Sequence, residues 1–253
     1  MFAPAVRRAL RLRLLVLALL AALPSGLAGA GQAHKIVFVY GDPYARGVPL
    51  FIITVNPDGS ERTPIAEGAS PGGPAWSPDH TQIAYTGDDD CVLVANADGS
   101  DARRLARGVC SDMSPGWSPD GRRIAFTRGR ERGALFVVGA DGSGLRRLSG
   151  KLGFAASDVS QAWSPDGKRI LFVRWRRAGK LDTSDLSTVA PSGGGAVLLY
   201  RPPSGQLVTQ ADWAPDGRIA LVLQRKDGRD VLATIGADGT GFRELVRFPA
   251  KKN

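Results

Sequence analysis

The chain has 253 residues, 43% of them hydrophobic, and a formal net charge of +9. Its only histidines, His34 and His80, are too few for a multi-histidine metal centre within one chain. No stretch is left over for an α/β hydrolase domain to carry a nucleophile elbow.

The N-terminus decides the expected compartment. Arg7, Arg8, Arg11 and Arg13 precede an apolar run from Leu14 to Leu23, which Pro24, Ser25 and Gly26 break. Ala28-Gly29-Ala30 follows with small residues, so residues 1–30 read as a secretory signal peptide. The run of ten is too short to span a bilayer, for which about 20 residues are needed. No Cys follows it to carry a lipid, and no later stretch is apolar enough for a span. The product is expected to be periplasmic or secreted, with no stable membrane span after cleavage. Removing residues 1–30 takes four Arg and no acid, so the net charge falls from +9 to +5. The remaining basic residues are spread along the chain beside acids. Their one local cluster, Arg174-Trp175-Arg176-Arg177, reads as a loop. No nucleic-acid docking element accompanies them, and no nucleic-acid partner is expected.

Residues 31–253 repeat. The first copy runs Lys35-Ile36-Val37-Phe38-Val39, then Phe51-Ile52-Ile53-Thr54-Val55, then Pro57-Asp58-Gly59-Ser60, with no Trp start. The next four begin at Trp76-Ser77-Pro78-Asp79, Trp117-Ser118-Pro119-Asp120-Gly121, Trp163-Ser164-Pro165-Asp166-Gly167 and Trp213-Ala214-Pro215-Asp216-Gly217. An apolar stretch follows each start, such as Arg123-Ile124-Ala125-Phe126. A second Asp-Gly follows later in most copies, at Asp98-Gly99, Asp141-Gly142 and Asp238-Gly239. The fourth copy has Pro191-Ser192-Gly193-Gly194 there instead. Asp-Gly between apolar runs makes a hairpin turn, because Gly takes the positive φ such turns demand. His80 occupies the Gly slot of one first turn and reads as a tolerated substitution. Each copy therefore predicts four short strands, and none contains an amphipathic helix. A lone four-stranded sheet cannot cover both faces, so neighbouring sheets must stack radially. The fold class is all-β: a propeller of five four-stranded blades, or six with one incomplete. Trp76, Trp117, Trp163 and Trp213 are the expected inter-blade core. The first copy shows no innermost strand, so how the ring closes is open.

Cys91 and Cys110 lie in one repeat of a chain expected to be exported, which favours a disulfide over two buried thiols. Closing that loop contributes about 3 kcal/mol in the chain-entropy model. Asp88-Asp89-Asp90 lacks the alternating spacing of a calcium loop and reads as a solvated turn.

The recurring Trp-Ser-Pro-Asp-Gly motif resembles the TolB-like propeller repeat of exported bacterial proteins, over nearly all of residues 31–253. The resemblance implies a central channel lined by the first strand of each blade. It also implies a non-enzymatic scaffold that binds a protein or peptide partner, such as an envelope lipoprotein. The family's namesake has an extra N-terminal α/β domain and six blades, whereas five copies are visible here. If the family geometry holds, the residues before each Trp reach the channel mouth: Asp112 and Ser114, Asp158 and Gln161, Gln210 and Asp212. They are the candidate binding residues. The alternative is a small-molecule or glycan binder, or a sugar-acting enzyme, using these carboxylates. No cofactor is expected.

Overall fold

The computed structural model describes residues 35–41, 50–68, 73–106, 110–129, 133–149, 156–178 and 181–249. The predicted signal segment and His34 lie outside them. The described residues contain 19 strands and no helix, hence none long and apolar enough to cross a membrane. The strands form five antiparallel sheets, each in sequence order. Sheet one holds β1 (Ile36–Tyr40), β2 (Phe51–Val55) and β3 (Thr63–Glu67); sheet two holds β4 (Ala75–Trp76), β5 (Gln82–Thr86), β6 (Val92–Asn96) and β7 (Arg103–Arg104). Sheet three is β8 (Asp112–Trp117), β9 (Arg123–Arg128), β10 (Ala134–Gly139) and β11 (Arg146–Arg147). Sheet four is β12 (Ala156–Trp163), β13 (Ile170–Ala178), β14 (Leu181–Val189) and β15 (Val197–Tyr200). Sheet five is β16 (Leu207–Trp213), β17 (Ile219–Gln224), β18 (Asp230–Ile235) and β19 (Arg243–Arg247).

The repeat motif sets the register. Trp76, Trp117, Trp163 and Trp213 pair across the first hairpin with Ile83, Ile124, Ile170 and Ile219, all four of which are fully buried. Ser118 shows how the turn is held. Its Oγ donates to Asp120 and accepts from the Arg123 amide at 2.9 Å, while Asp120 accepts from the Arg122 amide. Ser77 and Ser164 repeat the arrangement. These turn carboxylates are held below the usual range chiefly by the serine hydroxyl, a structural job that explains them. Ala214 replaces the serine in sheet five, and that turn is one residue shorter. His80 sits at φ 57° where Gly121 and Gly167 sit at 67°, as the repeat alignment predicts.

The core is divided into four apolar clusters, one at each junction between successive sheets. Val39, Leu50 and Ile52 of sheet one meet Ile83, Tyr85 and Ala95 of sheet two. Phe126 of sheet three packs back on sheet two, Phe172 of sheet four on sheet three, and Leu221 of sheet five on sheet four. Interior sheets are covered on both faces, so Ile170, Leu171, Phe172 and Val173 of β13 are all buried. In β17 burial alternates residue by residue, because among the described residues nothing covers one face of sheet five. None of the four clusters joins sheet five to sheet one.

Close backbone approach adds a second reason for the later Asp-Gly motif. A Cβ on Gly99, Gly142 or Gly239 would fall 2.5, 2.7 or 2.3 Å from a carbonyl oxygen of the preceding sheet, at Ile65, Leu105 and Leu199. Only glycine allows both the positive φ and that contact. Outer-strand arginines brace the same junctions: Arg103 donates to the Ala140 carbonyl and Arg146 to that of Ser192.

Cys91 and Cys110 form the expected disulfide, with Cα atoms 4.9 Å apart. Asp88, Asp89 and Asp90 make the β5–β6 turn, where Asp89 accepts from the Cys91 amide and pairs with Arg104. One expectation is corrected. Arg174-Trp175-Arg176-Arg177 is not a loop but part of strand β13, in a hairpin whose two strands have nine residues each. Each arginine has an acid on a neighbouring strand: Arg174 faces Asp158, Arg176 faces Asp185 and Arg177 faces Asp182. Cross-strand pairing, invisible to a local charge count, lets these cations sit in a sheet.

Candidate functional site

The predicted channel-mouth residues lie on the first strands β8, β12 and β16, but their environments differ sharply. Asp112 and Asp158 are 0% exposed. Each faces an arginine directly across the first hairpin and is held by two hydrogen bonds. Arg128 Nε and Nη2 reach Asp112 at 2.6 and 3.0 Å; Arg174 reaches Asp158 at 2.7 and 2.9 Å. The Asp158 hydrogen bond is the main reason the Arg174 guanidinium is held above its ordinary value. Arg128 also lies over the Phe126 and Phe136 rings, and Arg174 over Phe172, so both cations are stacked as well as paired. These carboxylates are structural struts. Sequence reading missed Arg128 and Arg174, although the shared separation of 16 residues between acid and base was a usable signal.

Ser114 and Gln161 come together across neighbouring sheets. The Gln161 amide donates to the Ser114 carbonyl, and Thr127 Oγ1 lies 3.1 Å from Gln161 Oε1 and 3.0 Å from the Asp158 carbonyl. Ser114 itself takes φ 54°, at the point where the β8–β9 register slips. Gln210 and Asp212 lie in sheet five, whose position five residues before Trp213 is Val208 rather than Asp.

Asp212 is the exception among the carboxylates. Burial pushes its carboxyl up from 3.8, and the Trp213 amide at 2.8 Å only partly offsets this. A raised acid favours folding below its unfolded pKa, and that contribution is lost as pH rises through the folded value. Asp212→Asn is therefore expected to raise the melting temperature at pH 7, with the gain disappearing below about pH 4, near the unfolded pKa. Thermal melts at the two pH values test this; an equal gain at both would refute burial as the cause.

A separate cleft of about 360 Å³ opens beside the β13–β14 hairpin and the segment after β15. Arg176 and Arg201 enter it, both bound to Asp185, which is almost completely buried. Burial opposes ionisation of Asp185, but the hydrogen bonds from Arg201 and Arg176 outweigh it and keep the carboxyl low. The Ser184 hydroxyl on the same wall is buried without a partner. Among the described residues no group of three or more His, Cys, Asp or Glu is placed to hold a metal ion.

The model of the TolB beta propeller domain matches residues 49–251, which takes in most of the repeat frame described above. The chain belongs to the TolB beta propeller domain family. TolB from Acinetobacter baumannii superposes with a TM-score of 0.62 at 19% identity, over 82% of this chain and 50% of that one. The chain thus spans about half the length of that structure. A putative TolB from Agrobacterium tumefaciens gives 0.65 at 18% identity, over 84% of this chain and 81% of that one. An oligogalacturonate lyase in complex with manganese gives 0.64 at 12% identity, over 86% and 63%. At these identities the likeness is one of fold. No curated protein matches the chain in sequence.

Proposed function

We propose that the chain is an exported, non-enzymatic TolB-like propeller that binds a protein or peptide partner, such as a lipoprotein of the cell envelope. The observation that carries this reading is the fate of the first-strand acids. Asp112 and Asp158 are fully buried and bound to arginine, so neither is disposed to move a proton to or from a substrate. Ser114, Gln161, Gln210 and Asp212 are the partly exposed remainder of the channel mouth and are assigned here to partner contact. The export signal, the family and the rigid frame of stacked sheets all suit a binding scaffold.

A second reading makes the protein a glycan or small-molecule binder, or a sugar-acting enzyme. It draws on Asp212, whose carboxyl is pushed up and has no arginine beside it among the described hydrogen bonds and ion pairs.

One experiment addresses both. Residues 31–253 are used to capture proteins from native envelope extract. Any protein that survives a salt wash is then titrated in purified form. A saturable partner, with no oligosaccharide turned over, is the expected result. Absence of any saturable partner, together with turnover of an oligosaccharide that Asp212→Asn abolishes, would replace the scaffold reading with the second.

A further inference from the structure

Sheet one differs from the other four in its innermost position. Each of the others begins with a Trp-bearing strand paired to the next strand in sequence, as Trp117 pairs with Ile124. Sheet one begins at β1, the counterpart of β5, β9, β13 and β17, and β1 pairs with β2 on one edge only. Among the described residues its other edge has no strand, so a row of main-chain donors and acceptors is left open there.

Three further observations converge on that edge. The first is an indole. Trp117 Nε1 donates to the carbonyl of Ala75, and Trp163 Nε1 to that of Gly116, at 3.2 and 3.1 Å. In both cases the acceptor is the residue just before the Trp on the preceding sheet's innermost strand. Trp76 stands next in this series, and its acceptor would lie on the missing strand of sheet one. Its Nε1 is buried without a partner. Trp213 Nε1 is also unpartnered although β12 is in place, so the orphan marks a vacant acceptor only in combination with the free edge.

The second observation is a glycine. Gly99, Gly142 and Gly239 each abut the outer end of the preceding sheet, whereas a Cβ on Gly59 would meet nothing within 4 Å, so among the described residues no sheet covers that face of sheet one beside the edge. The third is exposure. The β1 counterparts β5 and β9 are buried almost throughout and β13 over Ile170 to Val173, but β1 is only partly buried at Ile36, Val37 and Phe38, and Tyr40 is 59% exposed.

We infer that this edge takes an extended segment of a partner protein as an added strand, antiparallel to β1, with a small residue under Trp76 Nε1 and an aromatic residue opposite Ile36. The pattern is that of this chain's own innermost strands, Ala75-Trp76, Gly116-Trp117 and Ala162-Trp163. The inference deepens the scaffold reading and rests on it and on export. Six residues separate Trp76, Trp117 and Trp163 from the isoleucine each pairs with. Cleavage after Ala30 leaves five residues before Ile36, too few for the turn, let alone the strand. The main-chain ladder supplies affinity and the alternating pockets supply sequence preference, as in strand addition generally.

The test uses the exported mature protein and a labelled synthetic peptide of residues 156–163, Ala-Ser-Asp-Val-Ser-Gln-Ala-Trp. The peptide is expected to bind saturably, to shift the Trp76 indole N–H resonance, and to displace the captured partner when in excess. Trp76→Phe identifies the resonance and removes one hydrogen bond, so it should weaken the peptide roughly threefold to tenfold. Its melting temperature should not fall, since the donor makes no hydrogen bond in the free protein and its burial is a cost. Failure of the peptide to bind, equal binding by Trp76→Phe, or no displacement overturns the inference. If capture of the partner persists in any of these cases, the scaffold reading stands and only the strand site falls. Two other results also overturn it. Intact mass showing that residues 24–29 are retained, with the Trp76 resonance already shifted, would mean the chain fills its own edge. Concentration-dependent self-association that shifts Trp76 would make the occupant a second copy.

Discussion

Asp158→Ala is expected to destabilise the protein by about 3–5 kcal/mol, the range for removing one partner of a buried ion pair. The penalty comes less from the lost attraction than from Arg174. Its guanidinium is held by Asp158 across β12 and β13, and its side chain is only 16% exposed. Without the carboxylate it must sit uncompensated beside Phe172 or rearrange. At about 2–4 °C per kcal/mol for a domain of this size, a fall in melting temperature of roughly 10 °C follows. Adding Arg174→Met should recover most of the loss, because an apolar pair of similar volume carries no desolvation penalty. A calorimetric melt decides it. If Asp158→Ala melts within a degree or two of the parent, Asp158 is not a strut and becomes free for the channel.

Trp163→Ala should destabilise by a similar amount, about 3–5 kcal/mol, for a different reason. The ring is 8% exposed and packs with Leu135, Val137, Ile170, Phe172 and Val189 at the junction of sheets three and four. Truncation leaves a cavity that a rigid stack of sheets cannot close. It also strips the Gly116 carbonyl of its donor and Arg123 of the ring it covers. Trp163→Phe keeps most of the volume and removes the hydrogen bond, so about 1 kcal/mol should be lost. Denaturant unfolding of the two variants should show that graded order. Equal losses would mean that the hydrogen bond, not the packed volume, holds this junction.

Much of the architecture was readable before any coordinates. Trp-Ser-Pro-Asp placed the innermost strand and its turn, because Ser, Pro and Asp each satisfy a local backbone need within a few residues. The four strands expected of every copy are present in sheets two to five, whereas the first copy, which has no Trp start, forms only three among the described residues. Cys91 and Cys110 were matched because only two cysteines occur. The candidate site was less legible. Asp112 and Asp158 looked like channel carboxylates, but their partners Arg128 and Arg174 lie 16 residues away and meet them only through hairpin register. Arg174 to Arg177 looked like a loop because a local charge count does not see acids on adjacent strands. The cleft at Arg176, Asp185 and Arg201 combines three strands or their ends and had no contiguous signal.

The sequence by itself determined the repeat, the strand and turn positions, the all-β class and the disulfide, since each depends on interactions between residues close in the chain or on a forced pairing. Tertiary structure alone decided which acids are neutralised, why Gly99, Gly142 and Gly239 must lack a side chain, and where the stack of sheets is left open among the described residues. The first of these depends on hairpin register and the other two on distances between sheets, which exist only once one sheet has packed against the next.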